Sequence, residues 1–104
     1  MKYSIGELAG ELLNQAVANA EATITGVVCY ADYCGAWEYG GPIIEREKIE
    51  LIYYGEGSYN GLPWEAQTER YIGQSVGDAT SGPTPLIAAM RAFVRAKFGN
   101  EIEL

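Results

Sequence analysis

The stretch TPLIAAMRAFVRAKFG, residues 84–99, carries the clearest structural signal in this 104-residue sequence. Thr84 is a favourable N-cap residue, and Pro85 suits the first helical position, where an amide hydrogen would have no partner within the helix. Gly99 suits the position that follows a helix, and basic residues before it complement the helix dipole. The apolar residues recur three and four positions apart, which predicts an amphipathic helix over residues 85–98: Leu86, Met90, Phe93 and Val94.

A second helix is predicted near the beginning of the chain. Ser4 and Glu7 stand at the spacing of a capping box, in which each side chain caps the backbone amide of the other. Apolar residues follow with helical periodicity: Ile5, Leu8, Leu12, Ala16 and Ala20. The pattern therefore predicts a helix from Ser4 to about Ala20, with one apolar and one polar face.

Three strands are predicted between these helices. Residues 22–30 are rich in β-branched and aromatic side chains, with Gly26 as a possible bulge. Apolar and polar residues alternate over residues 47–54, and residues 63–72 form a third candidate strand after a turn at Asn60-Gly61. Residues 73–83 are rich in glycine, serine and threonine and are predicted to form a loop.

These elements predict an α+β fold in a single domain that spans residues 1–104. A small antiparallel sheet of about three or more strands is expected, with the N-terminal and the C-terminal helix packed on one of its faces. The predicted core consists of apolar residues from all of these elements: Leu8, Leu12, Val28, Ile49, Leu51, Leu86, Met90 and Phe93.

The charge of the chain disfavours two classes of partner. Fourteen acidic and seven basic side chains give a formal net charge of −7. Such a surface repels phosphate backbones and anionic lipids, so neither nucleic acid nor membrane is an expected partner. No apolar run approaches the ~20 residues needed to cross a bilayer, and a cytoplasmic protein is the expectation.

Several kinds of chemistry are excluded or disfavoured by the residues that are present. Histidine is absent, so a Ser-His-Asp hydrolase is excluded and a zinc site would need carboxylate ligands. Cys29 and Cys34 lack a histidine base and are expected to be reduced, structural thiols. The glycines at 55, 57 and 61 are followed by no GK[ST] motif. We therefore predict no cofactor and no metal.

The stretch GGPIIERE, residues 40–47, allows two interpretations. Glu45 and Glu47 could act as a paired general acid and base, since alternate residues of a strand share one face. Together with Arg46 and Tyr59 they would then line the pocket of a small enzyme or ligand-binding domain. The simpler interpretation, which we favour, is that Gly40, Gly41 and Pro42 turn the backbone into a strand and the charged residues are solvated.

Aromatic residues are more numerous than the core of so small a domain requires. Tyr and Trp combine apolar area with a polar group and are common in interfaces. One hypothesis is that four of them line a surface for a protein partner or a second copy of the chain: Tyr33, Trp37, Tyr59 and Trp64. The other is that the rings cap the open face of the sheet, and both interpretations remain at this point.

Taken together, Trp37, the GGPIIERE stretch, Trp64 and the segment GPTPLIAAMRAFVRAKFG at residues 82–99 resemble the NinX-like family of small phage and prophage proteins. The resemblance covers most of the chain. It implies an origin in a phage and a location in the bacterial host cytoplasm. It identifies no enzymatic activity, cofactor or catalytic residue. The function expected is that of a small accessory protein that binds another protein or associates with itself.

Overall fold

The computed structural model describes residues 1–55, 61–68 and 79–104. Within these ranges the chain forms three α-helices, α1 (Gly10–Thr25), α2 (Trp37–Glu47) and α3 (Pro85–Phe98), and one short 3₁₀ helix, Ile5–Glu7. The strands are β1 (Lys2–Ser4), β2 (Glu50–Tyr53), β3 (Trp64–Gln67), β4 (Thr80–Gly82) and β5 (Glu101–Glu103). The predicted α+β class is confirmed.

The strands form two antiparallel sheets. Three of them pair in the order β2-β3-β4, with Leu51 opposite Ala66 and Ala66 opposite Thr80. β1 pairs with β5, which places Tyr3 opposite Ile102. The predicted small antiparallel sheet is therefore present, whereas the two-stranded sheet near the chain ends was not predicted, because three-residue strands show too little alternation to be recognised.

Helix α3 matches its prediction and occupies the centre of the molecule. The Thr84 hydroxyl accepts a hydrogen bond from the Ile87 amide, and the helix ends at Gly99 with a φ of 88°. The helix contacts all three strands of the larger sheet, the other two α-helices and the 3₁₀ helix. Its apolar residues Met90, Phe93 and Val94 are fully buried. Most of the core is therefore assembled around this one helix.

The predicted placement of two helices on one sheet face is not confirmed. α3 packs on the three-stranded sheet, and the principal contacts of α1 are with α3. α2 also contacts α3. The order of packing is thus sheet, central helix, then outer helices. Close approach to the sheet is possible because Gly82 has no side chain: a Cβ there would lie 2.7 Å from the Ala88 amide nitrogen.

The prediction of a strand over residues 22–30 is wrong. Helix α1 continues to Thr25 and ends at Gly26, whose φ of 81° is favourable for glycine. The threonine hydroxyls are satisfied within the helix, since Thr23 Oγ1 donates to the Ala20 carbonyl at 2.6 Å. Val28, which we expected in the core, is 47% exposed in the loop that follows.

The GGPIIERE stretch lies in helix α2 and does not lead into a strand, so this prediction is also wrong. Gly40 and Ile43 are buried and Ile44 is half-buried, which is the three- and four-residue spacing of an amphipathic helix. Pro42 lies inside the helix, where its ring nitrogen cannot donate a backbone hydrogen bond. The helix ends at Lys48, which has a φ of 54°, and β2 begins at Glu50.

Three further boundaries differ from the prediction. The first α-helix begins at Gly10 instead of Ser4, and no side-chain hydrogen bond from Ser4 caps the 3₁₀ helix that precedes it. The third predicted strand corresponds to β3, while residues 69–72 lie outside the described part of the chain. Strand β4 falls within the segment predicted to be a loop, where Thr80 Oγ1 donates to the Ala88 carbonyl at 2.8 Å.

The remaining core predictions are largely correct. Leu8, Ile49 and Leu86 are buried together with Met90 and Phe93, and Leu12 and Leu51 pack against this cluster while remaining half-buried. None of the helices in the described ranges has the length and apolar character needed to span a bilayer.

Candidate functional site

The loop between α1 and α2, residues 26–36, is held against α1 by one asparagine. Asn14 Nδ2 donates to Asp32 Oδ1 at 3.0 Å, and Asn14 Oδ1 accepts from the Cys34 amide at 2.9 Å. Both polar atoms of this side chain therefore bind the loop. The loop has a defined position relative to the helix although it contains no regular secondary structure.

Tyr33 stabilises the same loop from within. It is 8% exposed, its hydroxyl donates to the Cys29 carbonyl at 2.6 Å, and its ring meets that of Tyr39 edge-on with centroids 6.5 Å apart. Burial, with smaller effects from Cys29 and Glu21, raises the pKa of the Tyr33 phenol. Tyr33 is one of the predicted site residues, and the structure places it beneath the surface, where it connects the loop to α2.

The loop and the first turn of α2 expose a group of large apolar side chains. Trp37 is 54% exposed at the first position of α2, and the others are exposed to a similar or greater extent. We call this group the aromatic surface, and it consists of Val27, Val28, Tyr30, Trp37 and Tyr39. Because Tyr33 contacts both the loop and α2, the two segments that carry these side chains are joined.

An open depression of about 600 Å³ lies beside the aromatic surface. Tyr30 and Asp32 line it from the loop, and Glu11 and Asn14 line it from α1. Two carboxylates thus border a hollow next to exposed aromatic rings. This combination can receive a side chain that is both long and positively charged.

The second predicted tryptophan has a different environment. Trp64 is half-buried on β3 and lies opposite Tyr53 of β2, and the centroids of their rings are 4.8 Å apart. This is a cross-strand aromatic pair on the sheet. Tyr59, also a predicted site residue, lies outside the described residues. The idea that Trp64 and Tyr59 take part in a partner surface stays a prediction.

Arg46, the remaining predicted site residue, binds two carboxylates and covers the core. Its two terminal nitrogens bind the carboxylate of Glu21 on α1, and Nε donates to Glu47 Oε2 at 2.8 Å. The hydrogen bonds that Arg46 donates to Glu21 are the main cause of the raised pKa of Arg46. The guanidinium lies 5.5 Å from the centroid of the buried Phe93 ring. Arg46 therefore connects α1 to α2 above the core.

The described residues give no support to an enzymatic site around GGPIIERE. Glu45 is exposed, and Glu47 is engaged by Arg46. Glu45, Arg46 and Glu47 do not line the cavities beside Tyr30, beside Arg91 or beside Phe98. The arrangement that the structure shows is an ion-paired contact between helices.

The two cysteines are free thiols with contrasting environments. Cys34 is buried, and its Sγ lies 3.6 Å from the Gly10 carbonyl oxygen; burial raises its pKa. Cys29 is exposed in the loop. A raised thiol pKa leaves less of the nucleophilic thiolate at a given pH. The expectation that Cys34 is a structural thiol agrees with this environment.

We predict that a thiol reagent distinguishes the two cysteines in the folded protein. Cys29 should react first, and Cys34 should react at least about tenfold more slowly because it is buried and less ionised. The measurement is the time course of modification at pH 8, with the Cys29→Ser variant as the control that retains only the slow phase. Equal rates in the native protein would contradict the described burial of Cys34.

Sequence reasoning missed the residues that organise this region. Asn14 was assigned only to the polar face of the first predicted helix, and Glu21 lies just beyond the predicted end of that helix. Nothing in a helical pattern distinguishes a solvated polar residue from one that binds a distant segment. Their partners lie 18 and 25 residues away along the chain. Only the folded arrangement of α1, the loop and α2 brings them together.

A family model described as Bacteriophage P22, NinX matches residues 29–97. This match begins in the loop after α1 and extends almost to the end of α3, so it includes Trp37, Arg46 and Trp64. A search of the curated proteins found no match.

Proposed function

This chain belongs to the NinX family of bacteriophage proteins, and we propose that it acts by binding another protein through the aromatic surface. The observation that carries the proposal is the exposure of Trp37, Tyr30 and Tyr39 on two segments that Tyr33 and Asn14 hold in place. Large aromatic side chains contribute strongly to binding when a partner covers them, and an anchored loop loses little freedom on binding.

The charge around this surface indicates the chemistry of the partner. No lysine or arginine occurs between Lys2 and Arg46, whereas this part of the chain contains exposed carboxylates at Glu11, Asp32 and Glu38. A second copy of the same acidic surface would be repelled, and a basic protein would be attracted. We therefore propose a partner that presents apolar side chains surrounded by lysine or arginine, one of which enters the depression beside Tyr30.

The proposal is tested by removing the two rings on α2. In a Trp37→Ala/Tyr39→Ala variant, partner capture from phage-infected host cells should fall to background. A loss of about 2 kcal/mol at each dominant contact corresponds to roughly 30-fold weaker binding. The wild-type interaction should also weaken as salt concentration rises. The measurement is quantitative pulldown with crosslinking, followed by binding assays on each protein recovered.

The control is Phe98→Ala, which removes an exposed ring from α3 that lies outside the aromatic surface. It should retain full binding. Equal capture by the double variant and the wild type would contradict the proposal. Sedimentation of the purified chain completes the test, because a wild-type dimer that the double variant abolishes would assign the surface to a second copy instead of a basic partner.

A further inference from the structure

A second cleft, separate from the aromatic surface, lies where the 3₁₀ helix, β4 and α3 meet. Its volume is about 310 Å³, at the lower end of the range typical of small-molecule sites. The side chains that line it are mostly polar or positively charged, and the lining residues include Ser4, Gly6, Ser81, Arg91, Arg95 and Asn100.

Arg91 is the central residue of this cleft. It is 7% exposed, and it donates from Nε to the Leu8 carbonyl at 2.9 Å and from Nη1 to the Ser81 carbonyl at 2.7 Å. These bonds use two of the five N–H groups of a guanidinium. No carboxylate forms an ion pair with it within residues 1–55, 61–68 and 79–104. Burial lowers the pKa of Arg91.

A buried cation without an acidic partner is unusual, because desolvation of the charge is costly unless an opposite charge offsets it. The chain has twice as many acidic as basic side chains, yet the described carboxylates that form ion pairs engage Arg46 and the N-terminal amine instead. Hydrogen bonds to two carbonyls explain why Arg91 is held in place. Carbonyl groups carry no net charge, so these bonds do not neutralise the guanidinium.

The second cation of the cleft is Arg95, one helical turn further along α3. It lines the same cavity, and its Nε donates to Asn100 Oδ1 at 3.0 Å. Two guanidinium groups four residues apart on a helix face the same side. Together they place two positive charges at a small polar cleft in a protein whose net charge is −7.

From this geometry we propose that the cleft binds a phosphate group, either free phosphate or the phosphate of a small metabolite. Arginine is well suited to a phosphate because its planar N–H groups bind two oxygens at once. Arg91 supplies a positive charge that no carboxylate pairs with in the described ranges, and the Ser4 hydroxyl on the same cleft is a further neutral donor. The site is independent of the proposed protein-binding surface.

The test is a titration of the isotope-labelled protein with inorganic phosphate, followed by amide NMR at constant ionic strength maintained with sodium chloride. Saturable shifts should be centred on Gly6, Ser81 and Asn100. A parallel titration with glycerol phosphate distinguishes the two sources, since tighter binding of the ester indicates a phosphorylated metabolite and equal binding indicates recognition of the phosphate alone.

Arg95→Gln is the decisive variant because Arg95 is only half-buried. It should weaken phosphate binding at least about tenfold, the effect of losing about 1.4 kcal/mol. Lys97→Gln is the matched control, as it removes the same charge from the same helix outside the cleft, and it should bind as the wild type does. Arg91→Lys retains the charge but loses the two-oxygen geometry and should also bind more weakly.

Two results would overturn the proposal. One is the absence of saturation in the wild type, with shifts spread over all basic residues. The other is equal weakening by Arg95→Gln and Lys97→Gln, which would show a general charge effect. Spectra of each variant without phosphate establish that it is folded, and the decision rests on Arg95→Gln if Arg91→Lys is not.

Discussion

The Phe93→Ala variant is expected to lose about 3–5 kcal/mol of its free energy of unfolding, the usual result of removing an aromatic ring from a packed core. Phe93 is fully buried on the central helix, and the cations of Arg46 and Lys97 lie 5.5 Å and 5.9 Å from its ring centroid. The variant thus loses both core volume and two cation–π contacts. Domains of this size have a total stability of about 5–15 kcal/mol, so much of the protein could unfold at 37 °C.

Urea denaturation followed by circular dichroism measures this loss. Phe98→Ala is the matched control because it removes the same ring from the same helix at a position that is 39% exposed. Its cost should stay below about 1 kcal/mol, since the ring is already partly in water. Similar losses for the two variants would show that α3 does not present Phe93 to the core as described.

The Gly40→Ala variant should be destabilised by about 2–3 kcal/mol, although alanine usually stabilises a helix relative to glycine. A Cβ at this position would lie 2.5 Å from Leu86 Cδ1 and closer still to the Tyr33 carbonyl oxygen. Leu86 is buried and the carbonyl belongs to the backbone, so neither can move away easily. Gly40 therefore allows α2, α3 and the loop to meet.

Gly41→Ala is the control for this effect, with the opposite sign expected. A Cβ at Gly41 would meet only Trp37 Cε3, at 3.9 Å, which is an ordinary contact. The helix should gain about 0.5–1 kcal/mol from the substitution. The two variants are compared by thermal and urea unfolding, and a stabilised Gly40→Ala protein would be incompatible with the packing described here.

Local signals predicted some elements of this fold and misled for others. Helix α3 was predictable because its cap, apolar periodicity and terminal glycine all agree. Helix α2 was not, because two glycines and a proline suggest a turn, and the close packing of Gly40 against Leu86 involves a residue that is distant in sequence. The β-branched residues Thr23, Ile24 and Thr25 suggested a strand, but continuity with the preceding helix outweighed that weak preference.

The candidate sites were predictable to a similar, partial degree. An excess of aromatic residues indicated a surface, and Trp37 lies on it. The sequence could not show that Trp37 is exposed whereas Tyr33, four residues earlier, is buried. In the sequence, Arg91 is one of several basic residues in the second half of the predicted helix, which the helix dipole favours, although the structure places it in the middle of α3. Its burial depends on β4 and on Leu8, 83 residues away.

The central position of α3 affects how the protein folds while it is being synthesised. A ribosome synthesises the chain from the N-terminus, so α1, α2 and β2 emerge before the helix around which they pack. Until about residue 98 has left the exit tunnel, these segments cannot pack against α3. Their apolar side chains, which α3 covers in the folded protein, are therefore exposed in the nascent chain. Stalled translation before α3 should therefore yield fragments that host proteases degrade rapidly.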